Sequence, residues 1–158
     1  MKTKNLSIET VLFSAFAFAT VLFIAFAISS CTNRPGCGYE NAMNYDPLAV
    51  DDGSCRYICD ATFWMDSTTV ANFATAEVTS LTYFLDGIEV GTSGTTTPYS
   101  SAPACGATGT LLIDYDLVKE PSKTAVLVVK NQDDVEVYTT SISLVGATSG
   151  CITVEVIY

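Results

Sequence analysis

Residues 11–28 read VLFSAFAFATVLFIAFAI, an apolar run broken only by Ser14 and Thr20, with Lys2 and Lys4 placed ahead of it. A run of that length can cross a bilayer as a helix, and the basic residues before it are those of an export leader. Beyond Ser29 and Ser30 the pattern turns from continuous to alternating. Segments rich in Val, Ile, Thr, Tyr and Phe predict strands over 61–67, 77–85, 88–91, 110–117, 124–130, 135–144 and 151–158. Turn chemistry separates them: Asp86-Gly87, Glu120-Pro121-Ser122, Asn131-Gln132-Asp133-Asp134 and the glycines at 146 and 150. Asp86-Gly87, flanked by Leu85 and Ile88, is the strongest hairpin signal. In the last segment Ile152, Val154, Val156 and Tyr158 alternate with Thr153 and Glu155, the pattern of a half-buried strand. Segment 124–130 is apolar on both faces and predicts a central strand, whereas 135–144 changes phase and calls for a bulge near Val137. Seven short strands in about 100 residues predict an all-β sandwich.

Charge and composition narrow what such a domain can do. Taking Lys2, Lys4 and Glu9 away with the leader leaves five basic and sixteen acidic residues, a net charge of −11. A surface so acidic repels nucleic-acid backbones and anionic headgroups. The chain contains no histidine, which removes the commonest general base and the usual imidazole zinc sites. Six cysteines behind an export leader point to an oxidising compartment and to disulfides.

The end of the leader, Ile28-Ser29-Ser30-Cys31, resembles the lipobox of bacterial lipoproteins: an aliphatic residue, two small ones, then cysteine. The resemblance implies cleavage between Ser30 and Cys31, lipidation of the Cys31 thiol, and anchoring to a membrane through acyl chains. Stable anchoring takes more than one chain, each buried methylene contributing about 0.8 kcal/mol. Thr32 rather than Asp after the cysteine implies delivery to the cell outer membrane. An uncleaved signal anchor, or plain secretion with Cys31 in a disulfide, are the alternatives.

Residues 36–57, GCGYENAMNYDPLAVDDGSCRY, are similar to a short module of secreted and surface proteins of Gram-negative bacteria. The matching positions are Gly36-Cys37, the Ala42-Met43-Asn44-Tyr45-Asp46-Pro47-Leu48-Ala49 stretch, Asp51-Asp52-Gly53-Ser54-Cys55 and Tyr57. So short a stretch cannot build a core and needs a staple, and a Cys37–Cys55 bridge would contribute about 3 kcal/mol. Asn44, Asp46, Asp51 and Asp52 carry the oxygen chemistry of calcium ligands, but their spacing departs from the EF-hand loop. The other expectation for them is capping of turns through their own side chains.

Residues 61–158 are similar to immunoglobulin-like or carboxypeptidase-regulatory-like β-domains of bacterial surface proteins. The features in common are Phe63-Trp64, the Asp86-Gly87 hairpin, the segment from Tyr99 through Pro103-Ala104-Cys105-Gly106, and the strand opened by Cys151. That resemblance implies a Cys105–Cys151 disulfide. Cys59 lies ahead of Phe63-Trp64, out of register with the pattern, so its pairing stays open: unpaired if Cys31 is lipidated, joined to Cys31 if it is not.

No nucleophile and base pair up in this sequence. Asp114 and Asp116 could serve acid–base chemistry, yet at i and i+2 on a strand they fall on the face opposite Ile113, Tyr115 and Leu117, the expected solvent face. Phe63, Trp64, Tyr83, Phe84, Tyr115 and Tyr138 could stack on a glycan or fill the core, the commoner use. Tyr99, within the Gly/Thr/Ser/Pro-rich loop 91–109, is the candidate ligand contact. Asp66-Ser67-Thr68 also fits a bacterial O-glycosylation acceptor.

The organisation expected is a signal peptide (1–30), a lipidated tether (31–36), a disulfide-bounded mini-module (37–57) and an immunoglobulin-like β-sandwich of about seven strands (58–158). The function expected is that of a non-catalytic binding or structural module whose partner is a surface protein or glycan, with no cofactor unless calcium. A calcium-dependent adhesion or carbohydrate-binding module and a carboxylate-based enzyme are the alternatives.

Overall fold

The computed structural model describes residues 34–146 and 150–158, so the signal peptide, the Ser30/Cys31 cleavage site and the Cys31 lipidation site expected from the sequence lie outside the described residues. Pro35–Tyr158 form one compact unit. Its elements in chain order are β1 (Arg34–Gly36), β2 (Ala49–Asp51), β3 (Tyr57–Met65), α1 (Ser67–Thr75), β4 (Ser80–Leu85), β5 (Ile88–Gly94), β6 (Leu111–Val118), β7 (Ser122–Asn131), β8 (Glu136–Val145) and β9 (Cys151–Val156).

Strands β3 to β9 make a sandwich of a three-stranded sheet, ordered β6-β3-β9, and a four-stranded sheet, ordered β5-β4-β7-β8. All seven strands expected from the sequence are present. β3 runs antiparallel to β6 and parallel to β9, so the first and last strands of the sandwich pair side by side. Period-two patterning decides what meets between the sheets. Tyr57, Cys59, Ala61, Phe63 and Met65 of β3 face Leu81, Tyr83 and Leu85 of β4 and Ala125, Leu127 and Val129 of β7 within one buried cluster. Phe63 and Tyr83 bring their rings to 5.2 Å across the gap. Burial pushes the Tyr83 phenol up to about 12, and its hydroxyl is satisfied by Ser93 Oγ at 3.0 Å.

Local chemistry fixes the register. Asp86 and Gly87 both take positive φ, 49° and 82°, which brings the β4–β5 hairpin round in two residues. The Asp86 carboxylate then accepts the Val126 N–H at 2.9 Å and pairs with Lys123 at 2.6 Å, tying the turn to β7. On the β7–β8 ladder Val129 faces Tyr138 and Lys130 faces Glu136, leaving Val137 as the extra residue. The bulge expected from the phase change sits there. β7 is central in its sheet, but Val126 on its outer face is 48% exposed, so its two-sided apolar run does not mean burial on both sides.

Two parts of the chain differ from expectation. β3 starts four residues earlier than the predicted 61 and stops at Met65, and residues 67–75, expected to end a strand and begin a loop, form α1. Asp66 caps that helix by accepting the Thr69 N–H at 2.7 Å, and Phe73 anchors it, fully buried and 4.6 Å from the Tyr158 ring.

The registers define two ends. At the near end β3 and β7 begin and β6 and β8 finish; the stapled segment 37–57 packs here, because Cys37, Ala42 and Cys55 join the same buried cluster as the sandwich. At the far end lie α1, the 131–135 turn and the start of the β5–β6 loop.

Candidate binding surfaces

The stapled module is built on backbone capping. Its Cys37–Cys55 disulfide spans a Cα–Cα distance of 4.8 Å. The Asn44 amide donates to Ser54 O at 2.8 Å and its carbonyl accepts the Arg56 N–H at 2.9 Å, so one side chain substitutes for a rung of sheet between two loops. Asp46 accepts the Leu48 N–H, Asp51 the Gly53 N–H and Asp52 the Ser54 N–H, each at 2.9 Å and two residues on. The bonds from Ser54 hold the Asp52 carboxyl below its usual range. All four candidate calcium ligands thus spend an oxygen on backbone N–H groups, the three aspartates within their own turns and Asn44 across to a second loop. Among the described residues no three His, Cys, Asp or Glu side chains group so as to hold a metal ion.

Between this module and the sandwich lies a groove of about 740 Å³, lined by Tyr39, Asn41, Asp51, Tyr57, Lys119 and Pro121 among others. Nothing in the sequence marks it, since it arises where residues far apart in the chain meet.

The second candidate surface is the loop between β5 and β6. It leaves the far end, where the Tyr99 N–H bonds Met65 O at 2.9 Å, and then crosses the outer face of the three-stranded sheet. Cys105 is bound there to Cys151 at a Cα–Cα distance of 6.0 Å, as the resemblance implied. Thr62, fully buried beneath, accepts the Gly106 N–H at 3.1 Å and places its hydroxyl 3.3 and 3.4 Å from the two sulfurs. Tyr99 is half-buried, and its hydroxyl donates to Thr108 O at 2.7 Å, closing the loop on itself. Its side chain is therefore a brace as well as a candidate contact. Beside the loop, a pocket of about 400 Å³ opens between Val70 and Ala74 of α1, Val78, Thr95 and Thr96.

The remaining candidates do not converge. Asp114 and Asp116 lie on the solvent face of β6, where Asp116 pairs with Arg56 at 2.7 Å and is held below its usual range by that guanidinium. Of the aromatic residues, Phe63 and Tyr83 are inside and Trp64 is buried on the opposite face of β3. Phe84 and Tyr115 are half-buried, each under a lysine, Lys130 and Lys123. They share no platform. Cys59 is a free thiol sealed on the inner face of β3, and burial pushes its pKa up, so it remains a thiol. Comparison with protein families, with curated proteins and with solved structures finds no match to this chain.

Proposed function

We propose that this chain is a cell-envelope lipoprotein whose folded part is a non-catalytic binding or structural module, held at an outer membrane by acyl chains on Cys31. The observation that carries the reading is the state of the other cysteines. Cys37 is paired with Cys55 and Cys105 with Cys151, while Cys59 is sealed between the sheets. None of the described cysteines is left for Cys31, which follows an apolar leader in the setting where a lipid is attached. The alternative in which Cys31 reaches Cys59 would require the core to open.

The anchoring also assigns roles to the two ends. Cys31 is three residues from Arg34, so the near end with its stapled module stays beside the lipid. The far end, with Tyr99 at the start of the β5–β6 loop and the α1 pocket, is directed toward whatever surface protein or glycan the module engages. Intact-mass analysis of exported protein, combined with thiol counting, tests the anchor. Lipidation leaves a chain beginning at Cys31 with acyl mass added and five alkylatable thiols after reduction in denaturant, whereas six thiols and no acyl mass would sink the proposal.

A further inference from the structure

The stapled segment hides only a few side chains and leaves five large apolar ones in solvent. Tyr39, Met43, Tyr45, Leu48 and Val50 are between 39% and 71% exposed, all within residues 39–50. Among the described residues the other eight exposed large apolar side chains are spread over residues 88–158. The fold does not ask for this density. The backbone of Leu48 is fixed by the Asp46 carboxylate, that of Met43 by Arg56 O and that of Tyr45 by Ala42 O. None of these backbone bonds requires an apolar side chain at its position. A concentration of exposed apolar groups marks a surface that meets something apolar.

The chain itself says what that is. From Cys31 to Arg34 is three residues, a reach of at most about 11 Å even when fully extended. The polar layer of one leaflet is about 5–8 Å deep, so a lipidated Cys31 brings β1 and the module down to the headgroups. Tyrosine is the side chain that settles at this depth, its ring in the apolar boundary and its hydroxyl in the wet layer. With a net charge of −11 beyond the leader, attraction by anionic lipid is not the force, and apolar insertion is.

We propose that Tyr39, Met43, Tyr45, Leu48 and Val50 form a docking face that lies in the headgroup layer of the membrane carrying Cys31. The module is then a foot that fixes the height and tilt of the sandwich rather than a bead on a loose tether. This rests on the lipid-anchor reading above, and the test separates the two.

Acylated full-length protein is reconstituted in phosphatidylcholine vesicles whose acyl chains are brominated, as Met43→Trp and, for comparison, Val135→Trp in the far-end turn. Trp64 is buried in both and gives a common background. Insertion to the depth usual for interfacial side chains, about 5–10 Å, brings the introduced indole of the Met43→Trp protein against bromine and lowers its emission about twofold, with no loss for Val135→Trp. Adding Tyr39→Ser and Leu48→Gln to Met43→Trp abolishes the quenching while the protein still floats with the vesicles. Equal emission from Met43→Trp and Val135→Trp in protein that floats overturns the docking face and leaves the anchor standing. Protein that carries no acyl mass and fails to float overturns both. Quenching that requires phosphatidylglycerol, or a face protected by dimerisation in detergent and unquenched in vesicles, also overturns the proposal.

Discussion

Asp60 stands directly across from Asp114 on the outer face of the β3–β6 ladder, an arrangement that sheet pairing disfavours. Partial burial first, and then the Asp114 carboxylate, raise the Asp60 pKa above its ordinary 3.8. Four other aspartates are displaced the other way: Asp52 by Ser54, Asp66 by the Thr69 N–H, Asp86 by Lys123 and Asp116 by Arg56. The signs follow from proton linkage. The four lowered groups stabilise the fold above the unfolded-state value and lose that contribution as pH falls through their folded values. Asp60 does the reverse, binding its proton more tightly in the folded state, so its ionisation destabilises as pH rises through the window above 3.8. Asp60→Asn removes that ionisation and leaves the other four unchanged. Its melting temperature is expected to exceed that of the parent at neutral pH, with the gap closing as pH drops below 3.8. A gap that stays constant across pH, or an Asn protein less stable at neutral pH, would show that the facing carboxylates are not in conflict.

At the scale of elements, strand-forming composition bounded by turn chemistry located all seven sandwich strands and the hairpin, and alternation marked the half-buried character of β9. The helix escaped for a local reason. Thr68-Thr69-Val70 is β-branched and, with Ser67, of modest helix propensity, so the segment reads as the end of a strand followed by a loop. The overriding signals were Asp66 as a cap and the spacing of Val70, Phe73 and Ala74, which put an apolar stripe on one side of a nine-residue helix. The burial of Thr62 was not legible, since it depends on a loop forty residues away being held across it by Cys105–Cys151. Besides that cap, α1 is held by Val70 against the core and by Asn72, whose amide donates to Tyr158 O at 3.2 Å, but Phe73 is its largest buried side chain. Phe73→Ala should therefore cost about 3–5 kcal/mol in denaturant unfolding, while Phe73→Leu, which keeps most of the volume, should cost less than about 1.5 kcal/mol. Amide exchange in 67–75 should quicken in the Ala protein before exchange in β3 or β7 does. Uniform quickening throughout would mean the helix belongs to the cooperative core rather than resting on it.

For the whole molecule the question is whether the stapled module is a separate bead or part of the sandwich. Its sequence, bounded by cysteines and rich in turns, reads as self-contained, and its boundary was expected after Tyr57. The folded chain joins the two. Tyr57 is the first residue of β3, and its ring backs onto Gly146, where an added Cβ would come within 2.6 Å of Tyr57 Cβ. Arg56 reaches Asp116, and Cys37, Ala42 and Cys55 share one buried cluster with Leu117 and Leu144. A module connected in this way unfolds with the sandwich. Removing its staple in the Cys37→Ala/Cys55→Ala protein frees a loop of 18 residues, a loss of about 3 kcal/mol, and for a unit of this size that lowers the melting temperature of the whole by about 10 °C. Calorimetry should still record a single transition, because the near end of the core loses its cover as soon as the module opens. An independent bead would behave otherwise, leaving the main transition where it was and melting on its own at lower temperature. Two separable transitions, or an unmoved main one, would place the module outside the cooperative unit.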